Sequence, residues 1–213
     1  MPLGHLGHDH AMAAPEQEKV SVQLEEFFGA DGKKTMGGLV DKFGPRSFAI
    51  IFIVLMALPA LPLPTGAVSH VLEILTMLLA LELIIGRQEV WIPKRFKDKA
   101  LKGLSGPKFS RALVKRIRWF EKFSRPRMAG LLENRLTGMV FGLAVFGFAL
   151  TAFLSPPFSG LDTLPALGAV AVALAIILED VVVLLIGVVL GVAGVTLIVT
   201  LGAALFRLFR SLL

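Results

Sequence analysis

Two long apolar blocks, residues 47–86 and 136–206, alternate with two polar segments, 1–46 and 87–135. Each block is longer than one membrane helix, which needs about 20 apolar residues. The first is broken near its middle by LPALPLPTG, residues 58–66. Proline has no backbone N–H to donate and disfavours helix in the residue before it. Pro59, Pro62, Pro64 and Gly66 therefore predict a helical hairpin with its tip at Pro62 to Gly66 and arms of roughly 18–20 residues. The second block follows the same plan. An arm over 136–154 leads to a tip at Ser155 to Gly160, within FLSPPFSG, and a second arm covers 161–178. Pro64 to Arg87 and Pro157 to Asp180 are both 23 residues, which predicts an internal duplication of plan rather than of identity. A third apolar run, 181–206, is long enough to span alone.

The polar segments carry patterns of their own. Residues 1–18 read as a disordered N-terminus, and 19–46 as short amphipathic helices. Val20, Leu24, Phe27 and Phe28 share one face, and Met36, Leu39, Val40 and Phe43 recur at helical spacing, which suits a membrane surface or the flank of the first span. In 87–135, Ser105 and Pro107 resemble a helix start. Lys108, Arg111, Lys115, Arg118 and Lys122 then step along one face. Phe109, Ala112, Leu113, Ile117, Phe120 and Phe123 occupy most of the other, with Trp119 at its edge. This predicts an amphipathic helix at a membrane interface, which also covers the feet of the hairpins. The expected fold is all-α: a polytopic membrane protein of two Pro-broken hairpins (47–86 and 136–180), ordinary or re-entrant, a basic helical linker (87–135) and a C-terminal membrane helix (181–213).

Composition agrees with this reading. Of 213 residues 55% are hydrophobic, and mean hydropathy is +0.75. Charge sets the expected topology. Residues 87–135 hold fifteen Lys and Arg against four Asp and Glu, a local net of +11, whereas 1–46 has a net of −2. Lys- and Arg-rich loops stay cytoplasmic, so the linker is expected there, facing anionic headgroups rather than nucleic acid. The polar start of the chain predicts no cleavable leader, so the internal spans direct insertion. Cysteine is absent, which excludes disulfides and thiol chemistry. No P-loop, nucleophile elbow or zinc spacing lies in the spans, so neither an enzyme nor a cofactor is expected. His5, His8, Asp9 and His10 are a loose terminal His tract, and no metal site is assigned to them.

The remaining candidates are ionisable or polar groups in or beside the spans, which default to functional hypotheses. His70, Glu73, Glu82, Glu179 and Asp180 are the proton-coupling candidates. For Glu82, Arg87, Glu179 and Asp180 the competing reading is a membrane-boundary marker. Helix starts at Thr65-Gly66 and Ser159-Gly160 would offer free N–H groups to a phosphate. Arg46, Arg87 and Arg135 are the nearby cations. Two GxxxG pairs, Gly138/Gly142 and Gly187/Gly191, are candidate close-contact faces, within one chain or between two copies.

The runs TMGGLVDKFGPRSFAIIFIVLMALPALPLPTG and LLALELIIGRQEVWIPKRF, with WFEKFSRPRM in the linker and RLTGMVFGLAVF and LPALGAVAVALAIILED in the second block, resemble the ExoD family of bacterial integral membrane proteins. The resemblance covers roughly residues 35 to 205. Its most specific parts are the Pro-Leu-Pro tip, the Gly-Arg…Trp-Ile-Pro exit and Arg125-Pro126-Arg127. At the second tip, Gly160-Leu161-Asp162-Thr163 stands where the family commonly carries an Asn before Leu-Pro-Ala-Leu. The resemblance implies a part in exopolysaccharide synthesis at the bacterial cytoplasmic (inner) membrane. Combined with the broken hairpins and basic linker, it leads to the expectation of a protein that binds or translocates an anionic lipid, such as a polyprenyl-phosphate carrier or a lipid-linked saccharide. The alternative is a non-catalytic scaffold or regulator contacting exopolysaccharide synthase subunits.

Overall fold

A computed structural model describes residues 19–29, 35–63, 66–91, 107–124, 134–156 and 158–212. Among the described residues there are eight helices and no strand: α1 (Val20–Gly29), α2 (Met36–Phe43), α3 (Arg46–Met56), α4 (Ala67–Ile84), α5 (Pro107–Phe123), α6 (Arg135–Phe153), α7 (Thr163–Leu178) and α8 (Val181–Leu212). The N-terminal tract with His5, His8, Asp9 and His10 lies outside the described residues, as does Thr65.

Local chemistry sets the boundaries. Thr35 caps α2 by accepting from the Gly38 amide at 3.1 Å. Asn134 caps α6 by accepting from the Leu136 amide, and Asp180 Oδ1 accepts from the Val182 amide at the head of α8. Such caps satisfy amides that have no partner inside the helix. Gly66 (φ +56°) precedes α4 and Gly86 (φ +86°) follows it, both in backbone regions glycine adopts without a Cβ penalty.

Among the described residues three helices are long and apolar enough to cross a membrane: α4, α6 and the Val181–Ala204 part of α8. The first hairpin departs from the expected equal arms. α3 has 11 residues and α4 has 18, because regular helix stops three residues before Pro59, which has no amide proton to continue it. In the second hairpin the long arm comes first: α6 has 19 residues and α7 has 16.

The short arms form the centre. Eight of the eleven residues of α3 and eleven of the sixteen of α7 are buried. They pack on each other, with α4 against α6 and α8 against α7 around them. Lipid-type residues point outward from this ring, including Val68, Val71 and Leu78 on α4, Val140 and Leu143 on α6, and Leu185 and Val189 on α8. A bilayer solvates such side chains and tolerates backbone only where it is bonded within helices or shielded by protein.

Both GxxxG pairs are used within the chain. A Cβ on Gly168 would overlap the Gly191 backbone, and one on Gly187 would sit 2.7 Å from the Val172 nitrogen. A Cβ on Gly142 would come within 3.0 Å of Ala80 O and Ile84 N on α4. Small residues let these backbones touch, where packing rather than water exclusion holds helices together. The same glycines are therefore not free to join a second copy.

The amphipathic linker helix forms as α5, but part of its apolar side faces protein. Val114 and Ile117 are buried, and α5 packs against α1 and α7. Its last turn leads to the foot of α7, where Ser124 Oγ donates to Asp180 Oδ2 at 3.0 Å.

Candidate functional site: two ends of the bundle and a side groove

The antiparallel helices sort the ionisable residues into two groups, one at the feet and one at the tips. The ends of α4 lie about 27 Å apart at 1.5 Å per residue. At the feet, Arg46 opens α3 and pairs with Glu179 after α7 at 2.6 Å. Glu179 is 8% exposed and adopts a left-handed backbone (φ +52°) that turns the chain from α7 into α8. Asp180 accepts from Ser124 and from the Val182 amide. Arg135 donates to the Ile85 carbonyl at 3.0 Å and packs on Gly86. Glu82 accepts from the Trp91 amide at 2.8 Å, and Arg87 lies 5.9 Å over the Trp91 ring. These charges fasten helix ends to one another, the geometry of the boundary reading. None of the three arginines reaches the tips.

At the other end the two tips meet. A Cβ on Gly66 would be 2.6 Å from Phe158 Cζ, and the His70 ring packs edge-on to Phe153 at 5.3 Å. Ser159 uses its hydroxyl locally, donating to Pro156 O at 2.6 Å and accepting from the Leu161 amide. Gly160 (φ +69°) completes that turn. Behind the tips, His70 Nδ1 and Glu73 Oε2 are 2.8 Å apart. The Glu73 side chain is fully buried and the His70 side chain is 24% exposed. Asp162, one residue before α7, lies at this same end of the bundle. Glu73 Oε1, and Thr163 Oγ1 next to Asp162 in the chain, are buried with no hydrogen-bond partner. An unpaired buried polar atom is costly, commonly about 1–3 kcal/mol, so each of these atoms leaves bonding capacity open.

The tips thus supply carboxyls rather than cations, and a phosphate there would face Glu73 and Asp162. Positive charge and apolar lining coincide elsewhere. Between α3, α5 and α7 runs an open groove of about 390 Å³, walled by Ile53, Ala57, Leu113, Phe120, Val170 and Leu174 among others, with Arg116 at its edge. That volume lies in the range of small-ligand sites, about 300–1,000 Å³.

A profile of the family described as "Exopolysaccharide synthesis, ExoD" matches residues 20–200, nearly the whole described chain. The chain belongs to the ExoD family. It is also similar to an uncharacterized protein of Synechocystis sp., 26% identical over 152 residues, covering 70% of this chain and 71% of that protein. No solved structure matches the chain. ExoD membership and the apolar helices together point to a membrane protein concerned with exopolysaccharide synthesis.

Within this ExoD chain, sequence reasoning singled out His70 and Glu73, and the structure joins them. It did not include Asp162 or Thr163 in the site, although an acid one residue before a helix start, just past a proline tip, was the available signal. The groove gave no signal of its own, since its walls come from helices at least forty residues apart.

Proposed function

We propose that this ExoD-family protein serves exopolysaccharide synthesis by holding or translocating an anionic lipid, such as a polyprenyl phosphate or a lipid-linked saccharide, at the cytoplasmic side of the inner membrane. The observation that carries the reading is the groove between α3, α5 and α7, whose lining is apolar except for one arginine, Arg116. An anionic lipid presents the same combination, a phosphate on an apolar chain. Arg116 makes no ion pair among the described residues, so its charge is open to a headgroup. Lys115 is exposed beside it on α5 and adds favourable field at an anionic surface, about 1 kcal/mol. The excess of Lys and Arg over 87–135 supports the cytoplasmic assignment. In this reading Arg46, Arg87 and Arg135 hold the feet together and the phosphate goes to Arg116.

Native mass spectrometry of the purified chain titrated with polyprenyl phosphate tests the proposal. Polyprenyl phosphate is expected to bind at least roughly tenfold more tightly than the neutral polyprenol, and R116A to weaken it by about 10- to 100-fold, the scale of a charge-assisted hydrogen bond. Equal binding of the phosphate and the alcohol would contradict it. Recovery of synthase subunits with the wild-type chain and with R116A alike, without lipid selectivity, would instead identify a scaffold.

A further inference from the structure

We propose that His70, Glu73, Asp162 and Thr163 form a proton-binding site at the meeting of the two tips, with Glu73 as the acceptor and His70 as its route of exchange. The site is separate from the groove and does not depend on a lipid being bound there.

Three observations carry the assignment. The Glu73 carboxyl is wholly buried, yet only one of its oxygens is bonded, to His70 Nδ1 at 2.8 Å. Thr163 Oγ1 is a second buried polar atom without a partner, next to Asp162 at the start of α7. The His70 side chain is partly exposed, so it alone of the pair reaches both the buried carboxyl and the surface. The transfer balances simply. Nδ1–H of His70 gives its proton to Glu73 Oε2, Nε2 takes one from a hydronium ion outside and releases water, and the imidazole ends neutral in its other tautomer. The net change is the uptake of one proton by one carboxylate.

The surroundings select a proton over other ligands. An anion would meet two carboxyls. Among the described residues no group of three His, Cys, Asp or Glu side chains is placed to hold a metal ion. A proton needs one acceptor and one donor path, and both are present. The helices packed against α4 add no other titratable group at this level. The only charged residue of α6 is Arg135 and that of α3 is Arg46, both at the feet. α6 contributes the Phe153 ring against His70, and the start of α7 contributes Asp162. Glu82, the other acid of α4, is bonded to the Trp91 amide at the opposite end.

Infrared difference spectroscopy of the full chain in lipid, titrated across the range in which histidine changes charge, roughly pH 5 to 8, reads this directly. The expected result is a protonated-carboxyl carbonyl band that titrates in the wild type, is lost in E73Q, and shifts its midpoint by about one pH unit in H70Q. D162N, which leaves Glu73 in place, is also expected to shift the midpoint and keeps the test open should E73Q fail to fold. A band unchanged in E73Q, or a midpoint moved by neither H70Q nor D162N, would overturn the assignment. So would a midpoint displaced by sodium in place of choline, which would identify a metal-ion site.

Discussion

Alanine at Gly66 tests whether the two tips touch. Gly66 has φ +56° and ψ −129°, a region an L side chain enters at a cost of about 1–3 kcal/mol. Its new Cβ would also fall 2.6 and 2.7 Å from two atoms of the Phe158 ring, so the ring must swing away and lose its contact. Phe158 is 72% exposed, which gives the ring room to move and keeps that second cost modest, about 0.5–1 kcal/mol, at the low end of couplings between touching residues. G66A should therefore destabilise by about 1.5–4 kcal/mol in total. F158A retains the Cβ and the backbone at 158 while removing the ring. In the F158A background G66A should cost less by the contact component, leaving only backbone strain. Unfolding in mixed micelles, followed by the fluorescence of the two tryptophans, Trp91 and Trp119, yields the four free energies of the cycle. If G66A costs the same in both backgrounds, within the roughly 0.3–0.5 kcal/mol of additive sites, the tips do not touch and the site built on their meeting falls with them.

Other expectations concern the scaffold. R46A should destabilise by about 2 kcal/mol in the same unfolding assay, less than the roughly 3–5 kcal/mol of a fully buried pair, because Arg46 retains some exposure while leaving Glu179 charged and buried. G168A should cost about 1–3 kcal/mol or more by forcing α7 from α8. G202A meets nothing within 4 Å and should be neutral or stabilising by about 0.5–1 kcal/mol; equal effects of these two changes would refute the α7–α8 contact. E25A removes the exposed pair of Glu25 with Arg118 and should change stability by less than about 1 kcal/mol, an effect that shrinks as salt is raised.

The places where helices end were legible because proline and glycine act on the backbone locally. The breaks at LPALPLPTG and FLSPPFSG both appear, and α5 begins at Pro107 as the Ser105/Pro107 signal implied. The basic and apolar faces of α5 followed from spacing alone. Arm length was less legible. A hydrophobic count over 47–86 does not reveal that Pro59 truncates regular helix at Met56. The GxxxG spacing announced close helix contact but not its partner, since an intrachain neighbour and a second copy demand the same small residues. At the site, His70 and Glu73 are one turn apart on a single helix, so their pairing could be read directly. Asp162 joins them across 89 residues of chain, and the Arg46–Glu179 pair spans |i−j| = 133. Such contacts depend on tertiary packing that no local pattern encodes. The groove depends on it most, because three helices from separate blocks must meet to create it.

The central claim, an anionic lipid in that groove, is tested most directly by photocrosslinking in native membranes from a benzophenone amino acid placed at Leu113. The account predicts a lipid phosphate adduct on the chain that R116A greatly reduces and that the same probe at Leu143, on the outward face of α6, does not give. Adducts of bulk phospholipid alone, equal at both positions and indifferent to R116A, would contradict it.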